Sequence, residues 1–182
     1  VTGLPLLPLY AEARPAMPIV HMIRHPCAVT ASLLRGVESG KMPPPRLFSP
    51  YFRLPMAREQ RLTADDAARM TALETAAWRW ALANDTALRG APARANVRVV
   101  RYEDVCAAPV RVLRPLVERM GLSWSSSAEG FLTAAPRGGE QASYHAVRKD
   151  PAETLARWRR DLDAEQVDTI RRIAAQSAAA RF

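Results

Sequence analysis

The stretch PIVHMIRHPCAVTAS, positions 18–32, decides the reading of the fold. Pro18 opens an apolar run over 18–23 with the length and β-branched content of a buried strand. Arg24 and His25 end that run. Pro26 then stands where the first helical residue belongs, because its missing N–H is a donor that a helix start leaves unpaired anyway. Positions 28–35 continue as a helix, with Gly36 as its expected stop. The order is strand, tight turn, helix.

Working outward, VRVVRY at 97–102 reads as a second strand, followed by Glu103 and Asp104, a short loop, and a helix with Pro109 at its first position. Pro115 sits inside that helix. An interior proline costs on the order of 3 kcal/mol, so a kink or two short pieces are expected before Gly121. Between the strands, 38–62 is a Pro-rich insertion with prolines at 43, 44, 45, 50 and 55 and aromatics Phe48, Tyr51 and Phe52. It reads as an irregular surface segment of the kind that covers a site. One long helix is expected from Thr63 to Arg89–Gly90, with Met70, Leu73, Ala77, Trp80 and Ala81 as its apolar stripe and Trp78 beside it as packing. Positions 123–141 read as loop with Phe131 and Leu132 as anchors. A helix over 150–160 and another begun by Asp163 and Gln166, carrying Val167, Ile170 and Ile173, complete the chain. Strands separated by helices predict an α/β fold with a parallel sheet. Two legible strands leave that sheet incomplete, and no internal repeat is present.

The chain has 182 residues, of which 48% are apolar and 24% charged. These values suit one globular domain over 1–182 and exclude disordered, collagen-like and coiled-coil chains. No apolar stretch approaches the roughly 20 residues of a membrane span. Positions 1–9 lack the basic flank and cleavage site of a signal peptide. The chain begins at Val1 rather than Met, so a missing N-terminal part is expected. Cys27 and Cys106 are its two cysteines, too few for a disulfide framework or a zinc site. That usage leans toward a reducing, cytoplasmic compartment.

Lys and Arg total 26 against 18 Asp and Glu, a net charge of +8. The resulting pI near 10.4 suits an anionic partner. Lys41 and Lys149 are the only lysines, so the charge rests on arginine and is permissive rather than diagnostic. The chain has no run of five like charges, no RNP-type aromatic motif and no finger spacing. Nucleic acid is therefore not the expected partner.

Other motifs fall away on spacing. His21 and His25 would face one metal on a helix, but in a strand they stand roughly 13 Å apart. Gly40–Lys41 lacks the glycine and the Ser/Thr of a phosphate loop, since Arg35 and Met42 occupy those positions. Gly138–Gly139 is too short to cradle a phosphate. Asp65–Asp66 and Asp161 with Asp163 fall at predicted helix starts, where they complement the helix dipole. What survives is Arg24 at the strand end and Ser32 in the helix. A helix N-terminus, a guanidinium fork and a hydroxyl together suit a phosphate or sulfate group. Pro26 to Ser32 spans about 9 Å of helix, so the anion would lie alongside the first turns.

PIVHMIRHPCAVTASLL resembles the strand-turn-helix that binds the donor's 3′-phosphate in sulfotransferases using 3′-phosphoadenosine 5′-phosphosulfate (PAPS). VRVVRYEDVCAAPVRVLRPLVERMGL resembles that family's second signature. By this likeness Arg24 and Ser32 hold the 3′-phosphate and Tyr102 lies by the adenosine. Ser143, Arg148 or Lys149, and Trp158 are similar to the segment in which a loop folds over the nucleotide before a Trp-bearing helix. The resemblance implies a three-layer P-loop nucleotide-kinase-like fold with a parallel sheet, a diffusible PAPS donor and no metal. The acceptor would be a sugar, lipid, phenol or peptide, chosen by loops such as 43–61.

The family's N-terminal loop for the 5′-phosphosulfate has no counterpart here, so the chain reads as the C-terminal part, with a phosphate-loop strand expected beside 18–23. The catalytic base is unassigned. His25 and His145 are the imidazoles that remain, and His25, pointing into an anion site, would more readily donate to phosphate or pack. Glu103 and Asp104 are read as holding neighbouring loops by accepting backbone N–H bonds. Two rivals stand beside the enzyme: a non-catalytic, truncated nucleotide-binding module, and a kinase-like phosphotransferase, which would need a Walker loop and magnesium ligands.

Overall fold

A computed structural model describes residues 3–44, 50–89, 94–134 and 151–182. The two apolar runs form strands β1, Ile19–Ile23, and β2, Val97–Arg101. They pair in parallel, with Ile19 opposite Val97 and Ile23 opposite Arg101. A parallel pair needs a crossover, and helices α1 to α5 of this chain are α1 (Leu7–Ala13), which precedes β1, and α2 (Pro26–Glu38), α3 (Pro55–Glu59), α4 (Ala64–Arg69) and α5 (Ala72–Leu88), which supply it. After β2 come α6 (Tyr102–Ala107), α7 (Pro109–Arg119), α8 (Ser126–Thr133), α9 (Pro151–Ala156), α10 (Trp158–Asp161) and α11 (Ala164–Ala174). The chain is α/β, mostly helical, with a two-stranded parallel sheet.

Several elements depart from expectation. Gly36 is buried within α2, which runs on to Glu38; the left-handed turn falls at Gly40, φ 68°, a conformation that suits glycine. The predicted long helix is two, because Met70 is extended and Thr71 begins α5 as a new N-cap. Its hydroxyl accepts the Glu74 N–H at 3.2 Å while the Glu74 carboxylate accepts the Thr71 N–H at 2.9 Å. Thr63 and Asp66 make the same capping box at α4, and Asp163 and Gln166 make it at α11. Tyr102, expected as the last strand residue, instead begins α6, and Glu103 and Asp104 belong to that helix rather than leading into a loop. Pro115 does not break α7. Pro115 and Arg111 are both exposed, so the carbonyl that proline leaves without a donor faces water.

Part of the expected 123–141 loop is α8, capped by Ser125, on which Phe131 is about half exposed. The expected helix over 150–160 divides at Arg157 into α9 and α10. Asp161 ends α10 instead of starting a helix and pairs with Arg35. The Pro-rich insertion is not only a surface segment, for Phe52 is 3% exposed and packs in the main core.

The core forms where α2 and α11 pack on α5. Burial of α5 is wider than its predicted stripe and takes in Thr75, Ala76, Leu82, Asn84 and Asp85. A helix buried nearly all round must answer its polar groups internally. Asn84 donates to the Trp80 carbonyl at 2.7 Å, which turns its carbonyl oxygen toward His21 Nε2 at 3.0 Å. His21 therefore carries its proton on Nε2. Asp85 accepts the Ser177 hydroxyl at 2.6 Å and the Ala179 N–H at 3.3 Å, tying the C-terminal turn to α5.

Asp85→Ala leaves the buried Ser177 hydroxyl without its acceptor, while the Ala179 N–H keeps Ser177 Oγ at 3.0 Å, and is expected to lower stability by about 1–3 kcal/mol, read as a lower urea midpoint at an unchanged m-value. An unchanged midpoint would show that the contact does not hold the C-terminal turn.

Candidate functional site

The site grows from the end of β1. Chain direction there is set by three contacts around one turn. The Trp80 indole N–H donates to the Arg24 carbonyl at 2.9 Å. Glu103 Oε1 accepts the His25 N–H at 2.9 Å, the kind of role expected for this carboxylate. His25 Nδ1 accepts the Cys27 N–H at 3.2 Å and so caps α2, with Pro26 in its first turn. Accepting at Nδ1 leaves the imidazole proton on Nε2.

With its backbone held, the Arg24 side chain lies over the Tyr102 ring, 4.8 Å from the centroid. Its Nη2 donates to the Thr154 carbonyl of α9 at 3.1 Å. Its Nε is buried and has no hydrogen-bond partner among the described residues. Ser32 lies two turns along α2. Arg24 and Ser32 both line one cavity of about 380 Å³, together with Arg79, Asn84, Met42 and Tyr51. That volume falls within the common range of small-molecule sites, about 300–1,000 Å³. Tyr102 flanks Arg24 from outside the cavity wall; burial, with a hydrogen bond to Cys106, pushes its phenol up.

Ser143, His145, Arg148 and Lys149 lie outside the described residues. His25 does not line the cavity of Arg24 and Ser32. It lines a neighbouring cleft of about 240 Å³ with Glu103, Arg171 and Phe182, and its ring stacks on buried Trp158, centroids 4.7 Å apart and planes at 12°. Burial lowers its pKa from 6.5; Glu103 opposes this, while Arg171, Arg159 and Arg101 reinforce it. His21 is lowered by burial too, against the Asn84 hydrogen bond. The two histidines thus have separate structural partners. Among the described residues, no three or more His, Cys, Asp or Glu side chains gather as a metal site, and no helix is long and apolar enough to cross a membrane. Cys27 and Cys106 are free thiols, and burial pushes Cys27 up.

Arg79 and Asn84 were not singled out by the sequence pattern. A signal existed, since Arg79 interrupts the apolar run AAWRWALA and Asn84 follows it directly on the same predicted helix. No protein family, curated protein or solved structure matches the chain.

Both lowered histidines favour the neutral form in the folded state, so the unfolded chain binds more protons just below pH 6.5. Their contribution is fully present above pH 6.5 and is lost as pH falls toward the lowered folded values. The denaturation midpoint is expected to decline from pH 7 toward about pH 5, with a shallower slope in His21→Gln. Equal slopes in the two proteins would remove His21 from this linkage.

Proposed function

We propose that the chain forms the 3′-phosphate and adenosine part of the donor site of a PAPS-dependent sulfotransferase. The observation that carries this reading is the meeting of Arg24 and Ser32 at one cavity, with Tyr102 against the same guanidinium. A half-buried guanidinium can give a phosphate oxygen a charge-assisted hydrogen bond, and a helical hydroxyl can add another. The reading carries with it a three-layer P-loop nucleotide-kinase-like fold. The strand-turn-helix at 19–38 and its parallel partner β2 support that fold.

In the reaction so implied, an acceptor hydroxyl or amine attacks the sulfur of PAPS and a base takes its proton. The bond from sulfur to the 5′-phosphate oxygen breaks, and adenosine 3′,5′-bisphosphate leaves. Arg24 and Ser32 hold the donor at its far end and touch no reacting atom. The acceptor is a sugar, lipid, phenol or peptide, and the free thiols support a cytoplasmic setting.

Calorimetric titration with adenosine 3′,5′-bisphosphate, against 5′-AMP as a ligand without the 3′-phosphate, tests the reading. The bisphosphate should bind more tightly, and Arg24→Ala should lower its affinity about tenfold to a hundredfold, the weight of a hydrogen bond to a charged group. Equal affinity for the two nucleotides, or an unchanged affinity in Arg24→Ala, would refute it.

A further inference from the structure

Arg79 lines the same cavity as Arg24 and Ser32. It projects from the middle of α5, half-buried, and its guanidinium lies over the Tyr51 ring, 5.3 Å from the centroid. Arg24 has the same arrangement with Tyr102 at 4.8 Å. Each cation is therefore steadied by an aromatic face, which orients a guanidinium. Both charged side chains in the cavity wall are arginines, and Ser32 and Asn84 are among its polar neighbours. A dianion entering this cavity would meet cationic side chains from both the end of β1 and α5, and charge attraction is stronger away from bulk water.

We infer that Arg79 and Arg24 form a two-guanidinium clamp for one tetrahedral dianion, with Tyr51 positioning Arg79. The clamp follows from the cavity; only the identification of the dianion as a nucleotide 3′-phosphate rests on the donor-site reading. Tyr51 comes from the Pro-rich insertion and Arg79 from α5, so the clamp joins that segment to the anion. A planar fork can grip two oxygens of a phosphate or sulfate at once, which an ammonium cannot do.

The test uses the whole chain and two probes, inorganic sulfate and adenosine 3′,5′-bisphosphate, titrated by calorimetry with thermal melts as the check on folding. Arg79→Gln should weaken both probes about tenfold to a hundredfold, with Arg79→Lys intermediate. Arg79→Met keeps the apolar stem and serves if the Gln variant does not fold. Tyr51→Ala should weaken binding and Tyr51→Phe should restore it, because the ring and not the hydroxyl steadies the cation. Wild-type affinity in Arg79→Gln, alongside a loss in Arg24→Gln, overturns the clamp and leaves the donor reading intact. Sulfate binding that needs both arginines, with no preference for the bisphosphate over 5′-AMP, upholds the clamp and overturns the donor reading. Wild-type protein that binds neither probe overturns both.

Discussion

The indole of Trp80 is the hinge on which the rest turns. Its N–H donates to the Arg24 carbonyl, so the helix that fills the core also determines where β1 ends. Burying α5 on nearly every side is favourable only if its polar groups find partners, since an unpaired buried donor or acceptor costs about 1–3 kcal/mol. Asn84 and Asp85 meet that demand in different directions, toward His21 on β1 and toward Ser177 and Ala179 at the C-terminal turn. One helix thereby connects the strand, the turn after it and the end of the chain. Its alanines at 76, 77, 81, 83 and 87 are all buried, which lets neighbouring backbones approach closely.

From that constraint the chemistry near Arg24 follows. The turn between β1 and α2 is held by Trp80 on one side and Glu103 on the other, so Arg24 leaves the strand in a defined direction. Tyr102 and the Thr154 carbonyl then take up part of its guanidinium. A residue held at its carbonyl by α5 and at its guanidinium by α6 and α9 loses little further freedom on meeting an anion, which favours binding by preorganisation. His25 belongs to the same turn but does a different job. Its ring caps α2 and stacks on Trp158, and burial keeps it neutral near pH 7.

Local rules made much of this legible. Pro26 and Pro109 start helices because proline suits the first turn, and the Asp163–Gln166 box starts α11 because two backbone donors there need acceptors. The box at Thr71 and Glu74 was present in the same way, yet the continuous apolar spacing through Met70 read as one helix. Apolar period reports which face is buried and is blind to a one-residue break. Gly36 misled for a related reason: it lies buried inside α2, and burial depends on packing that a local stop rule does not see. Phe52 shows the converse, since proline-rich composition predicts irregular backbone but says nothing about whether an aromatic reaches the core.

By itself, the sequence determined the strand-turn-helix around Arg24, the parallel character of the strand pair and the residue types that suit an anion. The first depends on contacts within a few positions, where steric and capping rules act, the second on the helical crossover that separates the two strands, and the third on side-chain chemistry alone. Tertiary structure alone decided that Ser32, Arg79 and Tyr51 share a cavity with Arg24, and that His25 faces Trp158 instead. Such neighbours lie tens of residues apart or on different faces of a helix. Only the packing of α2 and α5 against β1 sets which of their side chains converge.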